Sequence, residues 1–183
     1  VTFGGNVGGL KALANLAVTG PTVLGANVTT TGAQTYHSAV TLGGTDTLTT
    51  TNNAVDFAAT LDAAAAGVQG LTVNAGTGLV TFGGTLGGAQ ALASLDVTGP
   101  TVLDANVTTT GTQTYNSAVT LGATDTLTTT NSAVDFVSTV DATFVGAQGL
   151  TVAAGSGLVT FGAAVGGGQS LANLTVTGPT ILD

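Results

Sequence analysis

The sequence predicts an all-β fold, a parallel β-helix of about seven coils. Three observations lead to this prediction: a long internal repeat, a shorter series of regularly spaced leucines inside that repeat, and a composition with very few charged residues. Charged residues make up 5% of the chain and apolar residues 43%, whereas ordinary globular domains carry roughly 25% charged residues. The long repeat defines the organisation of the chain.

The internal repeat has a fixed period. The segment VTFGG at Val1 recurs at Val80 and, as VTFGA, at Val159. The first two copies align without a gap and differ at 20 of their 79 positions. Long internal repeats are typical of solenoids and propellers. We therefore expect one continuous solenoid, a fragment of a longer array, composed of repeat 1 (1–79), repeat 2 (80–158) and partial repeat 3 (159–183).

A shorter ladder of leucines lies within each repeat. Each leucine opens a short segment of alternating apolar and polar residues bounded by Gly, Asn, Asp or Pro, which is a strand pattern. Their spacings are 32, 23, 24, 32, 23 and 24 residues, so the sequence predicts coils of 23–24 residues with every third coil lengthened to 32. Coils of this size are typical of a parallel β-solenoid. The seven leucines are Leu16, Leu48, Leu71, Leu95, Leu127, Leu150 and Leu174.

Stacked coils explain the composition. Like side chains of successive coils meet in such a rod, so ionised residues in register would repel one another, whereas Thr, Asn and Gly avoid that repulsion. A Val-x-Phe motif recurs at a spacing close to one coil, and we expect Phe57 to stack on Phe82 and Phe136 on Phe161. The alternative fold is a string of Ig-like sandwiches. The short partial repeat, the absence of a Trp or Cys core and the shorter period count against sandwiches.

Three segments carry a resemblance to a known family: LTVNAGTGLVTFGGTLGG, NVTTTGTQTYNSAVTLGATDTLTTTN and VDFVSTVDA. They resemble the repeats of large bacterial surface proteins of the filamentous haemagglutinin type and related repetitive adhesins, and the resemblance extends over the whole chain. It implies a right-handed β-helix that is secreted and located at the cell surface or in the matrix. It also implies adhesion to a host or matrix surface or to glycans. The secretion-signal domain of that family is not found in this sequence.

Composition excludes several classes of partner. The chain has one Lys or Arg, Lys11, against nine Asp, and its net charge is −8. Binding of nucleic acid or of an anionic membrane surface requires basic side chains, so we expect neither. There is no Cys for disulfides, thiolate ligands or thiol nucleophiles. No apolar run reaches the ~20 residues that a membrane-spanning helix needs, and no signal peptide is visible.

The chain's only histidine, His37, follows Tyr36 and invites a catalytic interpretation as a general base or a metal ligand. Its counterpart in the second repeat is Asn116, which neither transfers protons near neutral pH nor binds zinc usefully. We therefore predict no catalytic, cofactor or metal residue. Because this segment falls in the longest interval of the leucine ladder, we expect Tyr36, His37, Tyr115 and Asn116 on an outward excursion of the rod that contacts other fibres or a partner.

Other polar residues suggest weaker alternatives. Asp46, Asp56 and Asp62 recur in repeat 2, but no aromatic sugar platform accompanies them and the β-roll calcium pattern is absent, so we expect solvated turn residues. An isopeptide crosslink through Lys11 is disfavoured because its counterpart is Gln90. Three N-x-T sequons are candidate glycosylation sites. They begin at Asn27, Asn106 and Asn173.

The sequence thus predicts a structural protein: a repeat segment that gives reach, stiffness and adhesion, or self-assembles end to end or laterally into filaments. Two alternatives remain. Some β-helices are polysaccharide lyases or hydrolases, but their chemistry is concentrated in one cleft, while here it recurs in every full repeat. An ice-binding solenoid would use rows of Thr, yet the threonine row is broken at Leu71 and Leu150.

Overall fold

The computed structural model describes residues 1–183 as a β-solenoid without any helix. Twenty-three strands of two to four residues pair only in parallel, each with a strand one coil earlier, one coil later, or both. Successive strands turn through three faces in a fixed order, so three strands complete a coil. The predicted parallel β-helix is confirmed, and the sandwich alternative is excluded.

The strands are numbered along the chain and grouped by face. Face 1 contains β1 (Thr2–Phe3), β3 (Thr22–Leu24), β6 (Val40–Leu42), β9 (Leu61–Ala63), β14 (Val107–Thr108), β17 (Asp125–Thr128), β20 (Leu150–Ala153) and β22 (Leu174–Thr177). Face 2 contains β4 (Val28–Thr29), β7 (Asp46–Thr49), β10 (Leu71–Asn74), β12 (Leu95–Thr98), β15 (Gln113–Tyr115), β18 (Val134–Phe136), β21 (Val159–Phe161) and β23 (Thr180–Leu182). Face 3 contains β2 (Leu16–Val18), β5 (Gln34–Tyr36), β8 (Val55–Phe57), β11 (Val80–Phe82), β13 (Thr101–Leu103), β16 (Val119–Leu121) and β19 (Val140–Ala142).

Single β-bridges complete the three faces. Leu86 joins β9 to β14 on face 1, Val7 pairs with β4 on face 2, and Val165 pairs with β19 on face 3. The faces therefore hold nine, nine and eight rungs, which corresponds to about nine coils. With neighbouring rungs about 4.8 Å apart, the rod is about 40 Å long.

The predicted coil sizes need correction. The shortest coils bring Thr22 beside Val40, and the longest bring Val55 beside Val80. No 32-residue coil exists, and the count is about nine instead of seven. Leu16 lies on face 3 but Leu48 lies on face 2, so the interval between them spans five strand steps, or 1⅔ coils. The leucine spacings predicted the wrong coil size because each coil has three strands and the leucines do not all lie on the same face.

The 79-residue repeat is also not a whole number of coils. β1, β11 and β21 have equivalent sequences one repeat apart, yet they lie on faces 1, 3 and 2. Eleven strand steps, counting the single bridges, separate each from the next, so one repeat makes 3⅔ coils. Equivalent residues of successive repeats therefore point in directions that differ by a third of a turn.

Alternating residues of each strand fill the inside of the rod. Their side chains form a single cluster of 33 buried apolar residues that extends from Val18 to Phe161 and so crosses both repeat boundaries. Phe57 stacks on Phe82 with ring centres 5.5 Å apart, and Phe136 stacks on Phe161 at 5.1 Å. Both predicted aromatic pairs are confirmed.

Most corners between faces are turns of two to five residues, but five connections are loops of seven or eight residues. Four of these loops form two stacked pairs. Gly67 N donates to Ala91 O at 2.8 Å in the first pair, and Gly146 N donates to Ser170 O at 2.7 Å in the second. The first pair lies between faces 1 and 2 and the second between faces 3 and 1. The five loops are residues 8–15, 64–70, 87–94, 143–149 and 166–173.

Candidate functional site

The tyrosines predicted on an outward excursion are inside the rod, so that prediction is wrong. Tyr36 and Tyr115 are fully buried, and each stacks on a phenylalanine one coil later: Tyr36 on Phe57 with ring centres 5.0 Å apart, and Tyr115 on Phe136 at 5.2 Å. The turn that follows Tyr36 has only three residues, because the coils here are the shortest in the rod.

His37 and Asn116 are exposed at these short turns. Tyr36 is buried inside the rod, whereas the next residue, His37, is exposed on its outside. The Tyr36 hydroxyl donates to Gln34 Oε1 at 3.2 Å and not to the imidazole. The histidine and tyrosine therefore form no acid–base pair. Asn116 Nδ2 donates to Asp96 Oδ1 at 2.7 Å, a contact with the preceding coil that His37 lacks because Ala17 replaces the aspartate there.

Two buried glutamines stabilise this part of the core. Gln34 Nε2 donates to Thr49 O at 3.0 Å and to Val28 O at 3.3 Å. Gln113 repeats the arrangement with Thr128 O at 3.0 Å and Val107 O at 3.4 Å. Neither glutamine was predicted from the sequence. The signal was the QTY segment, whose alternation places Gln on the same inner side as Tyr.

Replacing Gln113 by Leu is expected to lower the free energy of unfolding by about 1–3 kcal/mol, because the change leaves the buried Tyr115 hydroxyl without a hydrogen-bond partner and removes the bonds from the Gln113 amide to two backbone carbonyls. Urea unfolding followed by circular dichroism measures this loss. Thr114→Val, one residue along on the outer side of the same strand, serves as the control and should change stability by less than about 0.5 kcal/mol. An equal loss in both variants would show that the glutamine has no special role.

The three aspartates of repeat 1 do not form a site. Asp46, Asp56 and Asp62 lie on faces 2, 3 and 1 of the rod, so their carboxyls point in three different directions. The partly exposed Asp62 accepts hydrogen bonds from Ala89 N at 2.8 Å and Gln90 N at 3.1 Å, and thereby anchors a loop of the next coil. Paired carboxylates for glycoside hydrolysis are thus absent from this trio.

The expectation of solvated turn residues is wrong for one aspartate of each repeat. Asp46 and its counterpart Asp125 start strands and point inward, and each is only 1% exposed. Burial raises the pKa of Asp46, and the amide of Gly44 partly opposes that rise. Burial also raises the pKa of Asp125 to about 6, with a further contribution from the negative charge of Asp104.

The outward aspartates are spaced to avoid one another. Asp96 and Asp135 lie in one outward column of face 2, separated by Thr114. Asp56 and Asp141 lie in one column of face 3, where Asp56 has a threonine on both neighbouring rungs and Asp141 has one on the preceding rung. No carboxylate pairs directly with another across adjacent rungs, which agrees with the repulsion expected between like charges in register.

Threonine triplets do not present a flat row of hydroxyls. Thr29 is partly exposed, but Thr30 is buried and its hydroxyl donates to Gly32 O at 2.5 Å. In the next triplet Thr50 is buried and donates to Asn53 O at 2.6 Å. The middle hydroxyl of these triplets therefore closes a corner of the coil.

Asn27, Asn106 and Asn173, the candidate glycosylation sites, are exposed. Asn27 Oδ1 accepts a hydrogen bond from Thr47 N at 2.8 Å, and Asn106 Oδ1 accepts one from Thr126 N at 2.7 Å. These side chains link one coil to the next through their oxygen atoms. Glycosylation at the amide nitrogen stays a prediction.

The long loops expose several large apolar side chains and carry no acidic residue. Phe144 and Val145 in loop 143–149 are 68% and 70% exposed. Their counterparts in repeat 1 are Ala65 and Ala66. The only ionisable side chain in any of the five loops is that of Lys11, which is exposed beside Leu10 in loop 8–15. This surface was not predicted from the sequence, because the longest interval of the leucine ladder falls on coils that are the shortest in the rod.

The structure and the comparisons were searched for a metal-ligand cluster, a membrane-spanning helix and similar proteins. No group of three or more His, Asp, Glu or Cys side chains is arranged to hold a metal ion. The fold contains no helix of the length and apolarity required to cross a membrane. Comparison with protein families, with curated proteins and with solved structures finds no match for this chain.

Proposed function

We propose that this chain is a structural segment of a secreted bacterial surface or fibre-forming protein, which gives reach and stiffness and assembles with further copies of itself into filaments. The sequence resemblance to filamentous haemagglutinin-type repeats favours a location at the cell surface or in the matrix, with adhesion to host, matrix or glycan as the wider role. The observation that carries the proposal is the continuous ladder of parallel rungs.

The placement of reactive side chains supports a structural role over an enzymatic one. An active site requires several such groups within reach of one substrate. Here the aspartates of each repeat lie on three faces, the tyrosines are stacked in the core, and His37 stands alone on the outside. The ionisable side chains are thus distributed along the rod, as expected for residues that link one coil to the next.

Charge distribution supports association of copies through the long loops. The outward carboxylates are carried by the strands and the short corners, so contacts between the faces of two rods bring negative charges together. The five loops carry no negative charge, and they hold Phe144, Val145, Val68 and Leu10 on the outside. Contacts between loops bury apolar surface while they keep the acidic faces apart.

Electron microscopy and fibre diffraction of the purified chain test the proposal. Concentrated protein should form filaments or lateral bundles whose axial reflection is at about 4.8 Å, the spacing of neighbouring rungs. A chain that stays monomeric at all concentrations and forms no ordered assembly would contradict self-assembly. Depolymerising activity on acidic or neutral glycans would contradict the structural role.

The double variant Phe144→Ala and Val145→Ala should weaken lateral association at least several-fold, because it removes the largest exposed apolar side chains of loop 143–149. Sedimentation velocity over a range of concentrations measures this change. Both substitutions introduce the residues that repeat 1 already has at these positions, so folding should be preserved.

Val137→Ala is the matched control for this variant. Val137 is also exposed, lies outside the loops, and has Ala58 as its counterpart in repeat 1. Association should be unchanged in the control. If Val137→Ala weakens association as much as the loop variant does, the contact is not specific to the loop.

A further inference from the structure

Two carboxyl groups lie inside the rod without a compensating charge. Asp46 and Asp125 occupy equivalent inward positions at the start of β7 and β17. In each residue the Oδ2 atom is shielded from solvent and has no hydrogen-bond partner. The arrangement recurs in both repeats although Asp46 lies on face 2 and Asp125 on face 1. It is therefore a property of the repeat and not of one place in the rod.

No positive group is available to pair with these carboxyls. On the following rung Asp46 meets Leu71, and Asp125 meets Leu150 in the same way. The only Lys or Arg in the chain is Lys11, which is exposed on loop 8–15. An ionised carboxylate in such surroundings is strongly unfavourable, and a buried acid without a partner is expected to keep its proton.

The titratable groups that face the two carboxyls make the ionised form still less favourable. The Tyr36 phenol is close enough to Asp46 for its own pKa to be raised, mainly by burial and further by the Asp46 charge. Tyr115 is affected by Asp125 in the same way. Asp104 adds a second carboxylate beside Asp125, while repeat 1 has Gly25 at that position. Every charged or titratable neighbour identified is thus an acid.

We propose that Asp46 and Asp125 are held in the folded rod as neutral carboxylic acids, so that each repeat contains a coil that is stabilised by acid and weakened when its aspartate ionises. This pH dependence arises from the stacked coils themselves and does not depend on which partner the surface binds. It would let a rise in pH loosen the rod from inside, at two points about one repeat apart.

The sign of the effect follows from proton binding in the two states. In the unfolded chain an aspartate loses its proton at about pH 3.9. In the folded rod Asp125 keeps its proton up to about pH 6 because its pKa is raised. Between these values the folded state binds more protons, so stability falls as pH rises. A difference of about two units corresponds to a fall of up to about a hundredfold in the folding equilibrium constant.

Urea unfolding of the chain at about pH 4 and about pH 7 tests the proposal. The folding equilibrium constant of the unmodified chain should fall at least tenfold from the lower to the higher pH. The double variant Asp46→Asn and Asp125→Asn, which cannot ionise, should lose most of this dependence. The control Asp56→Asn and Asp135→Asn removes two outward carboxylates of the same repeats and should retain it.

Two results would overturn the proposal: an equal loss of pH dependence in both double variants, or no pH dependence in the unmodified chain. If the inward variant does not fold, a titration of the unmodified chain by carbon NMR of the carboxyl groups decides the matter. The Asp125 midpoint should be about 6, as its raised pKa requires. It should fall in the variant Asp104→Gly, which introduces the residue of repeat 1. An Asp125 midpoint of about 4 in the unmodified chain would refute the proposal.

Discussion

Replacing Phe57 by Ala should lower the free energy of unfolding by about 3–5 kcal/mol, the largest loss that we expect from a single side chain. Phe57 is the middle ring of a three-ring stack, with Tyr36 at 5.0 Å on one side and Phe82 at 5.5 Å on the other. Its removal opens a cavity in a core that both neighbouring coils share, and neither neighbour can move inward without breaking its own rungs. Urea unfolding followed by circular dichroism measures the loss.

The chain supplies a replicate and a control for this experiment. Phe136 is the equivalent middle ring of the second stack, between Tyr115 and Phe161, so Phe136→Ala should cost about the same. Phe144 is exposed in loop 143–149, and Phe144→Ala should change stability by less than about 0.5 kcal/mol. A loss below about 1 kcal/mol for both Phe57→Ala and Phe136→Ala would show that the stacks do not support the rod.

Gly157→Ala should lower the free energy of unfolding by about 3 kcal/mol, because the added methyl group overlaps the backbone of the coil below. A Cβ atom at Gly157 would collide with the carbonyl group of Ser132 and lie 2.7 Å from Ser132 N. Backbone atoms held by rungs on both sides cannot make room as a flexible side chain could. The corner is fixed further by Asn131, whose Oδ1 accepts a hydrogen bond from Ser156 N at 3.0 Å.

Gly5→Ala is the control for the glycine substitution. A Cβ atom at Gly5 meets nothing within 4 Å, and the third repeat already has Ala163 at this position. Stability should therefore change by less than about 0.5 kcal/mol. Thermal unfolding compares the two variants directly. If Gly157→Ala melts at the same temperature as the unmodified chain, the coils are less tightly stacked at this corner than the structure indicates.

The solenoid could be predicted because its signals are repetitive. Alternation within each strand, turn residues between strands and recurrence of Val-x-Phe all depend on local sequence, and they correctly predicted the stacked pairs Phe57 with Phe82 and Phe136 with Phe161. The number of coils was harder to predict, because it depends on which face each strand occupies. A strand of two or three residues has the same alternation of apolar and polar residues on every face. The spacing between two leucines therefore could not show whether they are one coil or 1⅔ coils apart.

The side chains of the candidate site were predicted less well, for a physical reason. Gln and Asp are mostly exposed in folded proteins and Tyr is intermediate, so only the alternation with neighbouring apolar residues shows that Tyr36, Gln34 and Asp46 point inward. Burial of Asp46 contradicts its intrinsic preference and cannot be derived from composition. The exposed Phe144 is the converse case, since a phenylalanine in a chain with so few aromatic residues is more readily assigned to a core.

The fractional number of coils in a repeat has a consequence for any chain with a different number of repeats. Because one repeat makes 3⅔ coils, inserting or deleting one repeat leaves every rung paired but turns everything beyond it through a third of a revolution. Repeat number then sets the direction in which distant parts of the molecule face as well as its length. Only a change of three repeats, which is eleven whole coils, alters length by about 53 Å and restores the original direction.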